Sequence, residues 1–147
     1  MKFLLVLTAF LGCLTGCQKD DSAAPRIDAP FDQQVTLRPQ QSGAFPNQRK
    51  PELTITVDKI SDSRCPEDVM CVWAGEVETT LTVRDENGAA QALTLKLSTL
   101  SPRQDSATVQ ANGRRYLVVL HAVTPYPKVR PSTPPQPTKA VFSVKRQ

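Results

Sequence analysis

Alternation of apolar and polar residues in several segments, two Asn-Gly dipeptides set between such segments, and the lack of any stretch with a capped helical period predict an all-β chain. The expected architecture is an antiparallel β-sandwich of immunoglobulin-like type, with about seven strands and one short disulfide-closed loop. A small barrel is the structural alternative.

Each element has its own pattern. "QVTLR" at 34 to 38 is a short first candidate. Leu53, Ile55 and Val57 alternate with Thr54, Thr56 and Asp58, and place a strand over 52–60 with one apolar face. Val77, Thr79, Leu81 and Val83 alternate with Glu76, Glu78, Thr80 and Thr82 over 75–84, and Leu93, Leu95 and Leu97 alternate with Thr94 and Lys96. "ATVQ" at 107 to 110 and "AVFSVK" at 140 to 145 are further short strands, while "RRYLVVLHAV" is apolar on both faces and reads as a central strand. "DENGAA" at 85 to 90 and "QANGRR" at 110 to 115 supply the Asn-Gly turns of tight hairpins, which need positive φ.

Two stretches interrupt this order. "RPQQSGAFPNQRKP" at 38 to 51 reads as a long surface loop. "PYPKVRPSTPPQP" at 125 to 137 carries six prolines, which favour extended geometry and supply few backbone donors. It reads as a stiff crossover feeding the last strand from the far edge, in preference to a polyproline ligand or binding loop.

The N-terminus speaks to location. Met1-Lys2 precedes the apolar run "FLLVLTAFLGCL", too short for a membrane span of roughly 20 residues and of the right form for a signal peptide. Leu14-Thr15-Gly16-Cys17 resembles the lipobox of bacterial lipoproteins, which implies cleavage before Cys17 and fatty acylation of that cysteine. "QKDDS" at 18 to 22 resembles the signal by which some Gram-negative bacteria carry lipoproteins to the outer face of the outer membrane. The expected organisation is a signal peptide at 1–16, a lipidated, flexible tether at 17–30 and a single domain at 31–147. The expected location is the outer membrane, cell-surface exposed, with the periplasmic face as the alternative.

Composition narrows the function classes. The chain carries 18 basic and 14 acidic residues; loss of Lys2 leaves 17 − 14 = +3 once the N-terminus is acylated. Basic residues are scattered and aromatics few, so the basic patch and stacking rings of a nucleic-acid binder are missing. Cys13 leaves with the signal and Cys17 takes lipid, so Cys65 and Cys71 remain as a pair in an oxidising compartment.

The densest motif is "DSRCPEDVMCVWAG" at 62 to 75. Cys65 and Cys71 enclose a ring short enough for a disulfide to close if the chain doubles back, contributing about 2 kcal/mol. Asp62 and Ser63 are suited to bond backbone at the loop entrance, Pro66 starts the turn, Val69 points inward, Trp73 packs near the sulfurs and Gly75 returns the chain to the sheet. Arg64, Glu67 and Asp68 are the residues expected to face a partner. The pattern Asp-Ser-Arg-Cys-Pro-x-x-Val-x-Cys-x-Trp-x-Gly resembles that of a family of small secreted or lipid-anchored bacterial proteins, with the likeness running from about Phe31 to Val144 and strongest over 62–75. The family brings no activity with it.

Three functions compete. The leading one is a non-enzymatic binding or structural module, anchored to the membrane by lipid, that uses no cofactor and meets a surface protein or glycan. A hydrolase inhibitor presenting the 65–71 loop is the alternative. A metal or redox site built from Cys65, Cys71 and His121 is weaker, because the cysteine spacing lacks a second pair and is not C-x-x-C. His121 is the only histidine and sits in the densest strand pattern, where a packed side chain is favoured over a catalytic base.

Overall fold

A computed structural model describes residues 25–98, 104–130 and 134–147. The sequence-based signal peptide, Cys17 and "QKDDS" lie outside these residues. Nine strands are described: β1 (Ile27–Asp28), β2 (Gln34–Leu37), β3 (Ser42–Phe45), β4 (Leu53–Asp62), β5 (Glu76–Asp85), β6 (Ala90–Ser98), β7 (Ser106–Ala111), β8 (Arg114–Thr124) and β9 (Lys139–Arg146). They form two sheets, ordered β1-β3-β4-β5-β6 and β2-β9-β8-β7, with every pair antiparallel except β1 and β3. The fold is the β-sandwich that the alternation predicts, and among the described residues there is no α-helix.

The alternating residues supply the core between the sheets. Leu53, Ile55 and Val57 of β4, Val77, Leu81 and Val83 of β5, and Tyr116, Val118 and Leu120 of β8 are all buried. In β4 the register shifts between Val57 and Lys59, so that Asp58 is an extra residue against β5. This bulge moves the inward position from odd to even numbers, and Ile60 joins the core where a regular strand would turn it outward. The side chain of Asp58 accepts a hydrogen bond from Thr82 Oγ1 at 2.7 Å. A second shift, between Leu120 and Ala122 of β8, leaves His121 as the extra residue and returns Val123 to the core.

Three expectations are corrected. The 38–51 stretch is not wholly a surface loop, because it contains β3, whose Ala44 and Phe45 are fully buried. Four residues were too few to reveal a strand by period, and the burial comes from pairing with β4. The folded body begins before Phe31, since Ile27 and Asp28 pair with β3 and Ala29 is buried. The proline-rich segment is no crossover from a far edge: it leaves β8 at Thr124 and returns at Lys139, directly opposite on neighbouring β9.

The strands give the sandwich two unlike ends. One carries the β3–β4, β5–β6 and β7–β8 turns. At the other are the β2–β3 turn at 38–41, the motif loop at 63–75 and the described parts of the proline-rich segment, 125–130 and 134–138.

Candidate functional site: a corner built from two loops

The motif loop begins as a continuation of the β4–β5 ladder. Ser63 N–H donates to the Glu76 carbonyl at 2.9 Å, and Cys65 N–H to the Ala74 carbonyl at 2.8 Å. Asp62 Oδ1 accepts from the Arg64 N–H, the loop-entrance bond expected of an aspartate. Beyond it Pro66 opens a turn in which its carbonyl accepts from Val69 N–H, and the Cys65–Cys71 disulfide closes the ring with the Cα atoms 5.9 Å apart. Gly75 has φ +71°, and a Cβ there would stand 2.0 Å from the Ser63 carbonyl oxygen. The return to the sheet therefore requires glycine both for its backbone angle and for its missing side chain.

The proline-rich segment docks onto this loop across about sixty residues of sequence. Arg64 is the joint. It forms a two-pronged pair with Asp62, through Nε at 2.8 Å and a terminal nitrogen at 2.6 Å. The same terminal nitrogen donates to the Val123 carbonyl at 3.0 Å, and the guanidinium lies 4.2 Å from the centre of the Tyr126 ring. Such a planar cation satisfies carboxylate, carbonyl and ring face together, which a lysine would not. Next along the loop, Glu67 N–H donates to the Pro127 carbonyl at 3.0 Å, and the Glu67 carboxylate pairs with Lys128. Asp68 accepts from the N–H groups of Val129 (2.8 Å) and Arg130 (3.2 Å). These backbone bonds, that of Val129 foremost, hold the Asp68 carboxyl below its usual range, while the Glu67 carboxylate raises the Lys128 ammonium above its own.

Arg64, Glu67 and Asp68 each bond the second loop, Glu67 and Asp68 from exposed positions. They fasten the second loop to the first, and the Arg64 side chain keeps only 12% of its surface exposed. Trp73 and Val69 are also corrected: Trp73 is 65% exposed and Val69 46%, because the turn after Pro66 lies outside the sheets and leaves no core for either to enter. Sequence reasoning missed Tyr126, Lys128 and Val129, whose relation to the motif no local pattern encodes.

The consequence is an apolar surface. The large hydrophobic side chains exposed among the described residues are Val69, Met70, Val72, Trp73, Tyr126 and Val129, and all six belong to these two loops. Met70 and Val72 are exposed in full. An open depression of about 480 Å³ between Asp62, Tyr126, Lys128 and Gln136 borders this surface.

The remaining candidate chemistry lies elsewhere. His121 Nε2 is 2.8 Å from Ser143 Oγ on the outer face of the β2-β9-β8-β7 sheet, but Ser143 is the buried member of the pair, at 4% exposure. Among the described residues no carboxylate bonds the ring, so the arrangement lacks the orienting third member of a hydrolytic triad. With Cys65 and Cys71 joined, neither is a thiolate ligand, and no group of three His, Cys, Asp or Glu side chains able to hold a metal occurs among the described residues.

No family model, no curated protein and no solved structure matches the chain in comparisons with each.

Proposed function

We propose that this is a lipid-anchored protein of the bacterial cell envelope, acylated at Cys17 and held at the outer membrane, that works without catalysis as a binding module. Its working surface is the corner made by residues 64–73 and 126–129. One observation carries the reading: all six large apolar side chains exposed among the described residues sit there, on loops fastened by a disulfide, an arginine joint and backbone bonds. Scattered exposed apolar residues are ordinary on any protein, whereas a rigid cluster marks an interaction site. The resemblance of residues 62–75 to small secreted or lipid-anchored proteins accords with the anchor.

Two measurements test it. The intact mass of the protein from its native membrane is expected to begin at acylated Cys17 and to gain alkyl groups only after reduction. A photo-crosslinker at position 72 is expected to capture an envelope component that one at position 88, on the opposite end, does not. Equal capture from both ends, or a hydrolytic activity lost in His121→Ala, overturns the binding reading. Exposure of Val69 and Met70 within the disulfide ring favours, as the second reading, insertion of this loop into a protease cleft. Absence of inhibition across serine, cysteine and metalloproteases removes it.

A further inference from the structure

We infer that the partner of the corner is the lipid surface itself, so that the loop tip forms a second, non-covalent contact with the bilayer holding Cys17. The inference rests on the anchored-module reading and names the class of partner. The direction of the chain is the first ground. Ile27 pairs with Gly43, and Ser42 pairs with Thr56 of β4, which runs on to Asp62. Followed backwards from Ile27, the chain therefore heads toward the end that bears the corner. Pro25 shares an open depression of about 450 Å³ with Arg38, Gln41 and Lys139, beside the β2–β3 turn and the return of the proline-rich segment.

Cys17 lies 25 − 17 = 8 residues before Pro25. Even fully extended, that length spans only about 28 Å. A bilayer holding the acyl chains thus stays within about 28 Å of Pro25, which lies at the corner's end of the sandwich.

Shape and charge agree with this occupant. Met70, inside the disulfide ring, and Val72, just after it, stand fully exposed, with the exposed Trp73 next in sequence. Such an exposed apolar loop enters a fluid interface without needing a complementary pocket, and tryptophan is favoured at the headgroup level. Arg26, Arg38, Arg130 and Lys139 lie at the same end and have no ion-pair partner among the described residues, which suits an anionic surface.

Trp73 is the only tryptophan in the chain, so its fluorescence reports the corner alone. The experiment uses the full mature chain, acylated at Cys17, in vesicles of phosphatidylcholine and phosphatidylglycerol with or without brominated acyl chains. The expected result is a blue-shifted Trp73 emission that brominated lipid quenches. Met70→Asp with Val72→Asp, which keeps Trp73 and touches no core residue, is expected to lose most of that quenching while its thermal melt is unchanged. Solvent-like, unquenched emission from the anchored wild-type chain overturns the inference, yet an acylated mass leaves the anchor reading intact. Without acylation the anchor reading falls, and quenching of the unacylated chain by the same vesicles then upholds or, if absent, overturns the lipid contact. A blue shift produced by an envelope protein fraction and insensitive to brominated lipid assigns the corner to a protein and also overturns it.

Discussion

At one end of the sandwich the tight hairpin turns close by local backbone chemistry, and at the other two long loops are joined to each other by side chains. In the β5–β6 turn Asp85 N–H donates to the Ala89 carbonyl, while Asp85 Oδ1 accepts from the N–H groups of Asn87 and Ala89. In the β7–β8 turn Asn112 and Gly113 both take positive φ, the geometry of a tight hairpin. Glu52 ties this end together, accepting from Arg146 and from Tyr116 Oη, and Arg146 lies over the Phe31 ring. Apolar side chains here are inside. The corner differs in its apolar groups, which face out, while its polar groups pair with one another as Glu52 and Arg146 do. Where polar side chains are spent on joining two loops, the apolar ones are left exposed.

This contrast can be broken experimentally, and the largest effect is expected from a pair of glycines. Gly75→Ala combines a strained backbone angle with collision against the Ser63 carbonyl, and is expected to cost about 3 kcal/mol in urea denaturation. Gly88→Ala has positive φ but meets nothing within 4 Å, so about 1 kcal/mol is expected. Equal losses would mean that the corner relaxes as freely as the hairpin end.

Next in size, replacing Cys65 and Cys71 together by serine is expected to lower stability by about 2 kcal/mol, from loop entropy alone. Amide exchange is expected to rise over 64–75 and 127–130 but not in the hairpin turns. A uniform rise would deny the corner its independence.

At the hairpin end, Glu52→Gln weakens the pairing with Arg146, which holds the Glu52 carboxyl below its usual range. The side chain is partly exposed, so about 1 kcal/mol or less is expected from the melting curve.

The smallest effect is a pH dependence of docking. Because the Asp68 carboxyl is lowered from its ordinary 3.8 by the bonds from Val129 and Arg130, the docked form is favoured while the group is ionised. Its contribution is complete well above pH 3.8 and disappears as pH falls through the lower, docked value. The expected observation is a loss of protection at the Val129 and Arg130 amides in that acidic window with the sheets still folded, and Asp68→Asn is expected to abolish the dependence.

Legibility followed the range of the interactions. Leu53, Ile55, Val57, Val77, Leu81 and Val83 were readable because a one-sided strand repeats every two residues, and the hairpins because Asn-Gly tolerates positive φ. β3 was not, since Gly43, Ala44 and Phe45 are buried in succession with no alternation. Trp73 was expected inside because large aromatic residues usually are, and its exposure follows from a loop path that composition does not encode.

By itself the sequence determined the class of fold and most of the strands, which rest on periodicities within a dozen residues, and the 65–71 pairing became readable once Cys13 and Cys17 were read as signal and lipid residues. Only the tertiary structure decided that Arg64, Glu67 and Asp68 fasten the proline-rich segment to the motif loop, and that Met70, Val72 and Trp73 are exposed. The reason is physical: the partners Val123, Pro127, Val129 and Arg130 lie about sixty residues away in the chain, and the fold alone brings them to Arg64, Glu67 and Asp68.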